Sequence, residues 1–381
     1  MSTLTSLPCE VIISILQNLD NVQSLVPALL SCRHVYSSFN ESPQMIRLQI
    51  LQRQISPALL PYSMAIVKAS CQLSEPDEAS IKDLLDTLYD EPSRLLSQLQ
   101  TLPAGLVSRM GRMHDLVESF VNDFAVDAWD SLTRDNPCLP PDAMGRLSLW
   151  PTEHSRFCCA FYRFELFVTL ARSNKAKFST YPYRRHFSSR LASWEIEQIL
   201  CVHNFLEKRF LQASVDIIDF DVEYGDYSIE SLRLASRKYP LQGWLSQGLE
   251  FINQVVGEGS FEKKKTLLET ALPPGVILIY RLILLAIIET TLLDGTRALE
   301  EYTEDEIEEN TPRHALRKYD VDTGPRVVWC TIHKEEQYID VDELLSTACL
   351  REQGYILWDL SRIQVYNMFP IFEMTLEMAR E

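Results

Sequence analysis

The sequence predicts a mainly all-α fold, with at most one short strand pair. Three observations carry this. Glycine is scarce, at 12 of 381 residues, and leucine and isoleucine are frequent, a composition unlike that of turn-rich sandwiches and barrels. Apolar residues recur three and four apart through most of the chain, the mark of amphipathic helices. No repeat with a period of roughly 20 to 50 residues is visible, which leaves solenoids and propellers without support. The chain is long enough for two or three average domains, and its 46% apolar content supplies a sizeable core. The expected body is one irregular bundle of roughly a dozen helices.

At the start of the chain, Ser6 is placed to cap a helix whose first turn holds Pro8 and Glu10. Proline is tolerated there because its missing N–H would be unpaired anyway, and Glu10 suits the positive end of the helix dipole. Val11, Ile12, Ile15, Leu16 and Leu19 recur at helical spacing and give one wide apolar stripe. Asp20 and Asn21 end that helix, since both favour turns. Leu25, Leu29, Cys32 and Tyr36 lie three or four apart on a second helix, which Pro27 interrupts by removing a backbone donor. Two helices this short cannot shield both stripes from water between them. They need the rest of the chain, a partner, or both.

Residues 44–70 continue as helix through Met45, Ile46, Leu48, Ile50 and Leu51, then Leu59 and Leu60. The polar break at 74–80 caps a helix over 81–88, and Pro92 restarts another through Leu95, Leu96, Leu99 and Leu102. A long helix over 105–132 carries Leu116, Val117, Phe120, Val121, Phe124 and Trp129 on one face. Prolines make 136–142 a loop. Residues 157–171 are dense in aromatics and form a buried helix, and 194–210 form an amphipathic one. Further helices are expected over 231–238 and 244–256, ended by the break at 257–260. The longest apolar run, 276–293, contains Arg281 and Glu289 and follows Pro273-Pro274-Gly275, so a core helix is expected there rather than a membrane span. Like charges crowd 300–312, which predicts a solvated or disordered loop. Residues 326–329 read as a short strand or an aromatic anchor and 342–352 as helix. Residues 354–359 read as a turn packed through Tyr355 and Trp358, and 360–380 as a closing helix.

The formal charge of −17 argues against a broad nucleic-acid or anionic-membrane surface. Nine scattered cysteines and no secretory leader pattern suit reduced thiols in the cytoplasm, the nucleus or both. No glycine-rich phosphate loop or nucleophile elbow occurs, so no catalytic residues and no cofactor are expected. Cys32-x-His34, Cys201-x-His203 and Cys330-x-x-His333 are isolated pairs, whereas a structural zinc site wants four ligands; no metal is expected. Cys158 and Cys159 read as core residues. Asp216, Asp219 and Asp221 alternate with Ile217, Ile218, Phe220 and Val222, which suggests one buried and one wet face rather than an acid–base site. The basic segment 172–190, with Tyr181, Tyr183 and Phe187 among its arginines and lysines, either offers forks to phosphate or carboxylate or pairs with acidic segments of the same chain.

The opening pattern, Leu7-Pro8-x-Glu10, the Ile15-Leu16 pair, Leu19, and Cys32-Arg33, resembles an F-box. The resemblance covers about a tenth of the chain. It implies a module at 1–45 that docks on a Skp-type adaptor, and through it on a cullin, with 46–381 as a helical substrate-recognition domain. By that resemblance Leu7, Pro8, Glu10, Val11, Ile15, Leu16, Leu19, Leu25, Leu29 and Cys32 are the adaptor-binding residues, Glu10 mainly by capping and orientation. A second run, Arg351-Glu352-x-Gly354-Tyr355-x-x-Trp358-Asp359, resembles the C-terminal part of filamentous-fungal F-box-type proteins. The implied role is recruitment of a protein substrate, of unknown identity, for ubiquitination. The alternatives are a helical interaction or scaffold protein that uses the hairpin as its own core, and an enzyme of unrecognised type.

Overall fold

The computed structural model describes residues 7–72, 78–134, 147–173, 181–223, 238–271, 297–312, 323–336 and 347–380. Among them are 19 α-helices and no strand. The fold is all-α, and the admitted strand pair is absent from the described residues. In chain order the helices are α1 Cys9–Gln17, α2 Leu25–Ser31, α3 Arg33–Glu41, α4 Pro43–Gln54, α5 Leu60–Gln72, α6 Glu78–Asp90, α7 Pro92–Leu96, α8 Ala104–Arg134, α9 Pro151–Ser173 and α10 Tyr181–Ser188. They continue with α11 Ser193–Glu223, α12 Lys238–Leu245, α13 Leu249–Gly257, α14 Phe261–Ala271, α15 Glu304–Glu309, α16 Gly324–Ile332, α17 Ala348–Glu352, α18 Leu360–Val365 and α19 Phe369–Arg380.

Helix α9 is the axis of the body and packs against α5, α8 and α11. Its run from Arg156 to Ala171 is buried on every side except at Cys159, as expected of a helix that is apolar around most of its circumference. Phe120 and Phe124 of α8, Phe157 and Phe161 of α9 and Phe205 of α11 form one cluster, the closest pair being Phe124 and Phe205 with ring centroids 4.7 Å apart. The charges α9 buries are paired: Arg163 with Glu195, Arg156 with Asp359 at 3.0 Å, and Glu153 with Arg362 at 2.6 Å.

The turn at 354–359 locks the C-terminal helices onto this axis. Gly354 adopts φ +59, a left-handed conformation that glycine takes at little cost. Tyr355, Ile356, Leu357 and Trp358 are fully buried. Arg351 donates through Nε to Glu197 on α11 at 2.6 Å and through Nη2 to Thr347 at 2.7 Å. The Trp358 indole donates to the Gln353 carbonyl at 2.9 Å. Arg156 donates to the Leu357 carbonyl at 2.9 Å as well as to Asp359. Arg362 holds Glu153 with both Nε and Nη2 and lies over the Trp150 ring at 4.6 Å. Of the run 351–359, only Glu352 is exposed; it pairs with Lys208 at 2.6 Å.

Several expectations change. The acidic stretch is ordered: Leu299–Glu301 forms a 3₁₀ turn and α15 follows, opened by a capping box in which Thr303 and Glu306 satisfy each other's backbone N–H. Arg297 holds Glu306 at 2.6 Å, and Arg326 binds Glu304 and Glu308, so arginines on either side of the segment relieve the like-charge repulsion. Residues 326–329 are helical within α16, and Trp329 is the buried anchor. Helix α11 runs on through Glu223, so the alternation at 216–222 is not that of an extended segment. The expected helix at 244–256 is split at Gly248, φ +88, where a Cβ would come within 2.7 Å of the Glu165 carboxylate. The closing helix is split at Asn367, φ +47. In the basic segment, Arg190 pairs with Asp86 and Asp90 and His186 with Glu78 at 2.7 Å, all on α6, which is the internal pairing. The expected loop at 136–142, the apolar run 276–293 and most of 231–238 lie outside the described residues. No helix among the described residues is long and apolar enough to cross a membrane.

Candidate adaptor-docking face

Residues 7–54 form four helices, with α1 and α2 both packed on α3 and α1 also on α4. Helix α1 starts at Cys9 with Pro8 as its N-cap, whose carbonyl accepts from Val11 and Ile12 at 3.1 and 3.2 Å; Ser6 lies outside the described residues. The helix ends at Asn18, earlier than expected. Asn21 instead caps the 3₁₀ turn Val22–Ser24, its side chain accepting from Ser24 N at 2.8 Å. Pro27 does not interrupt the second helix, because it sits in the first turn of α2, where no backbone donor is lost. The break comes at Cys32, extended at φ −160 and ψ 157, so Tyr36 belongs to α3. His34 Nε2 lies 3.0 Å from the Leu7 carbonyl and ties the chain start to α3.

The wide stripe on α1 resolves into two faces. Ile12 and Leu16, 1% and 2% exposed, point into the core, whereas Val11 and Ile15, 42% and 45% exposed, point outward. Helix α2 repeats this: Leu25 is buried, while Val26 and Leu30, 60% and 81% exposed, face water. Of the expected adaptor-binding residues, Pro8, Glu10, Val11 and Ile15 are exposed and Leu7, Leu19, Leu29 and Cys32 are partly buried. Leu16 and Leu25 belong to the chain's own core and are not free to meet a partner, a correction to their expected role. Val26, Leu30 and Met45, outside that expected set, are exposed as well. The i,i+4 pair Val26 and Leu30 beside the Leu25 and Leu29 pair was the sequence signal, since together they make α2 apolar on two sides.

Six of the thirteen exposed large hydrophobics among the described residues, Val11, Ile15, Val26, Leu30, Tyr36 and Met45, fall within residues 7–45. This concentration, rather than any single side chain, makes residues 7–45 the candidate docking surface. The face rests on a rigid support. Gln54 accepts from Val22 N at 3.2 Å and donates to the Gly111 carbonyl and to Asp115 on α8 at 3.2 and 2.7 Å. A Cβ at Gly111 would come within 2.9 Å of Gln54 and 3.1 Å of Gln23, so glycine lets the N-terminal turn lie against α8. The hairpin core is continuous with the body, and the expected boundary at residue 45 falls inside α4.

The histidines of the three isolated cysteine–histidine pairs have other partners. His34 is engaged by the Leu7 carbonyl, His203 Nε2 by Gln242 at 3.1 Å, and His333 Nδ1 by Glu336 at 2.5 Å. Glu118, His154 and Cys158, on α8 and α9, are the described residues grouped closely enough to hold a metal ion. Compared with protein-family models, curated proteins and solved structures, the chain has no significant match.

Proposed function

We propose that the chain is a non-catalytic substrate-recognition subunit of a Skp–cullin–F-box ubiquitin ligase, acting in the cytoplasm, the nucleus or both. The observation that carries this reading is the outward pairing of Val11 with Ile15 and of Val26 with Leu30, on a hairpin whose inner face is already filled by Ile12, Leu16 and Leu25. A hairpin serving only as core has no need of a second apolar face. The F-box resemblance of its opening residues names the occupant: a Skp-type adaptor, with a cullin behind it. The helical body would then hold a protein target near a ubiquitin-charged enzyme. Its contribution to the reaction is positional, raising the effective concentration of a target lysine.

A second reading, a helical scaffold whose hairpin is part of its own core, draws support from the stitching of Gln54 to Gly111 and from the burial of Leu16 and Leu25. Co-expression with a Skp-type adaptor separates the two. Co-elution as a 1:1 complex, lost in Ile15→Asp/Leu30→Asp, supports the ligase subunit. Separate elution of the folded wild-type chain supports the scaffold.

A further inference from the structure

Helices α8 and α9 face each other with two i,i+4 pairs of metal-binding side chains, His114 and Glu118 on one and His154 and Cys158 on the other. His154 Nε2 lies 2.8 Å from Glu118 Oε2, and Cys158 Sγ lies 3.5 Å from Glu118 Oε1. Cys158 Sγ is 3.9 Å from His154 Nε2, and His114 Nε2 is 3.4 Å from Glu118 Oε1. Two donors on one tetrahedral zinc stand about 3.4–3.6 Å apart, given metal–ligand bonds of about 2.0–2.3 Å. The observed separations bracket that value, so small side-chain shifts bring the donors into register. Residues four apart on a helix share a face, and the donor atoms of Glu118, His154 and Cys158 all lie within 4.8 Å of one another, with His114 reaching the group through Glu118.

We propose that Glu118, His154 and Cys158 form a zinc-binding site, with His114 Nε2 or a water molecule as the fourth ligand. The donor set selects the metal: a thiolate and an imidazole suit zinc, whereas magnesium and calcium take oxygen ligands. An entry path exists, because His154 and Glu118 side chains are 40% and 31% exposed while His114 lies beneath at 7%. Tyr162 supplies an outer partner: its hydroxyl lies 3.3 Å from His114 Nδ1. With Nδ1–H donating to that oxygen, the Nε2 lone pair is directed at the site.

Burial holds the His114 pKa below its ordinary value, so its imidazole is neutral and able to ligate near pH 7. Burial pushes the Cys158 thiol well up, a cost that the sulfur–metal bond must offset. Binding exchanges protons for metal: Cys158 Sγ–H releases its proton to solvent, as does His154 whenever it carries a second ring proton, three bonds form from Sγ, Nε2 and a Glu118 oxygen to Zn²⁺, and the ion sheds water ligands. No electron is transferred. The expectation of no metal rested on sequence-local Cys-x-His pairs, and it overlooked pairs spaced by a helical turn.

The test uses the full chain, reduced and stripped of metal, titrated with Co²⁺ and then with Zn²⁺ as competitor. The expected result is a thiolate-to-cobalt charge-transfer band with tetrahedral d–d bands, saturating at one equivalent per chain and bleached by one equivalent of zinc. Cys158→Ser should abolish the charge-transfer band. His154→Ala and Glu118→Gln should weaken zinc binding by more than the roughly 10–100-fold that loss of an outer-shell partner costs. Cys349→Ser, at an exposed cysteine, should bind as wild type. Circular dichroism in chelator verifies that each variant is folded; if Cys158→Ser is not, the other two decide. A folded wild-type chain with no cobalt bands, or binding that survives His154→Ala and Glu118→Gln unchanged, overturns the proposal.

Discussion

Leu16→Ala tests which face of α1 belongs to the core. Leu16 is 2% exposed, and the substitution removes three carbons, worth about 2.4 kcal/mol at ~0.8 kcal/mol per buried methylene. The residual cavity raises the expected loss to about 2–5 kcal/mol. Ile15→Ala removes the same number of carbons at a site 45% exposed. Only about half the transfer term applies, no sealed cavity forms, and alanine is the better helix former. Its expected cost is therefore about 1 kcal/mol or less. Urea unfolding of the isolated chain, followed by far-ultraviolet circular dichroism, reads both. The midpoint should fall clearly for Leu16→Ala and barely for Ile15→Ala. Equal losses, or a silent Leu16→Ala beside a costly Ile15→Ala, would refute the assignment of the two faces.

Arg351→Ala strands the Glu197 carboxylate in a fully buried site, 2.6 Å from where the guanidinium stood, and should cost about 3–5 kcal/mol in the same assay; a loss below 1 kcal/mol, on the order of a surface pair, would contradict the keystone role of the 351–359 turn. Burial holds His203 below its ordinary pKa despite Glu207 nearby. The unfolded chain therefore binds the extra proton first, and stability should fall as pH drops below about 6.5, by at most ~1.4 kcal/mol per pH unit from this residue. His203→Gln should flatten that part of the pH profile, and an unchanged slope counts against it. The Arg297 hydrogen bond, followed by the Thr303 cap, holds the Glu306 carboxyl down to about 2. Its contribution to α15 is thus present above the ordinary value of 4.5 and lost only as pH falls through about 2, which a carboxyl-carbon NMR titration reads directly; a midpoint near 4.5 would show the capping box absent in solution.

The class of the fold was legible because apolar spacing near 3.6 residues survives in helices of every length. The breaks were less so. Gly248 and Asn367 split expected helices for reasons that lie in the fold, Gly248 because the Glu165 carboxylate of a distant helix occupies the space a Cβ would need. At 300–312 charge density masked a local signal: Thr303 followed three residues later by Glu306 is a capping box in plain sight. The arginines that neutralise the segment come from outside it. On α1 the difficulty was excess, since Val11, Ile12, Ile15 and Leu16 are all apolar and periodicity cannot rank two adjoining stripes. Only packing reveals that Ile12 and Leu16 are inside. The turn at 354–359 was read correctly because glycine before two large aromatics admits few other packings. The buried partners of Arg351 and Asp359, on α11 and α9, could not be read from it.

We propose that the outward face of the hairpin docks on a Skp-type adaptor. The most direct measurement is the affinity of the purified full chain for that adaptor by isothermal titration calorimetry, beside Ile15→Asp/Leu30→Asp, with each protein's unfolding midpoint recorded. The account predicts 1:1 binding by the wild-type chain and loss of binding by the variant with its midpoint nearly unchanged. A folded wild-type chain that gives no binding heat and no co-elution, or a variant that binds as tightly as wild type, would contradict it.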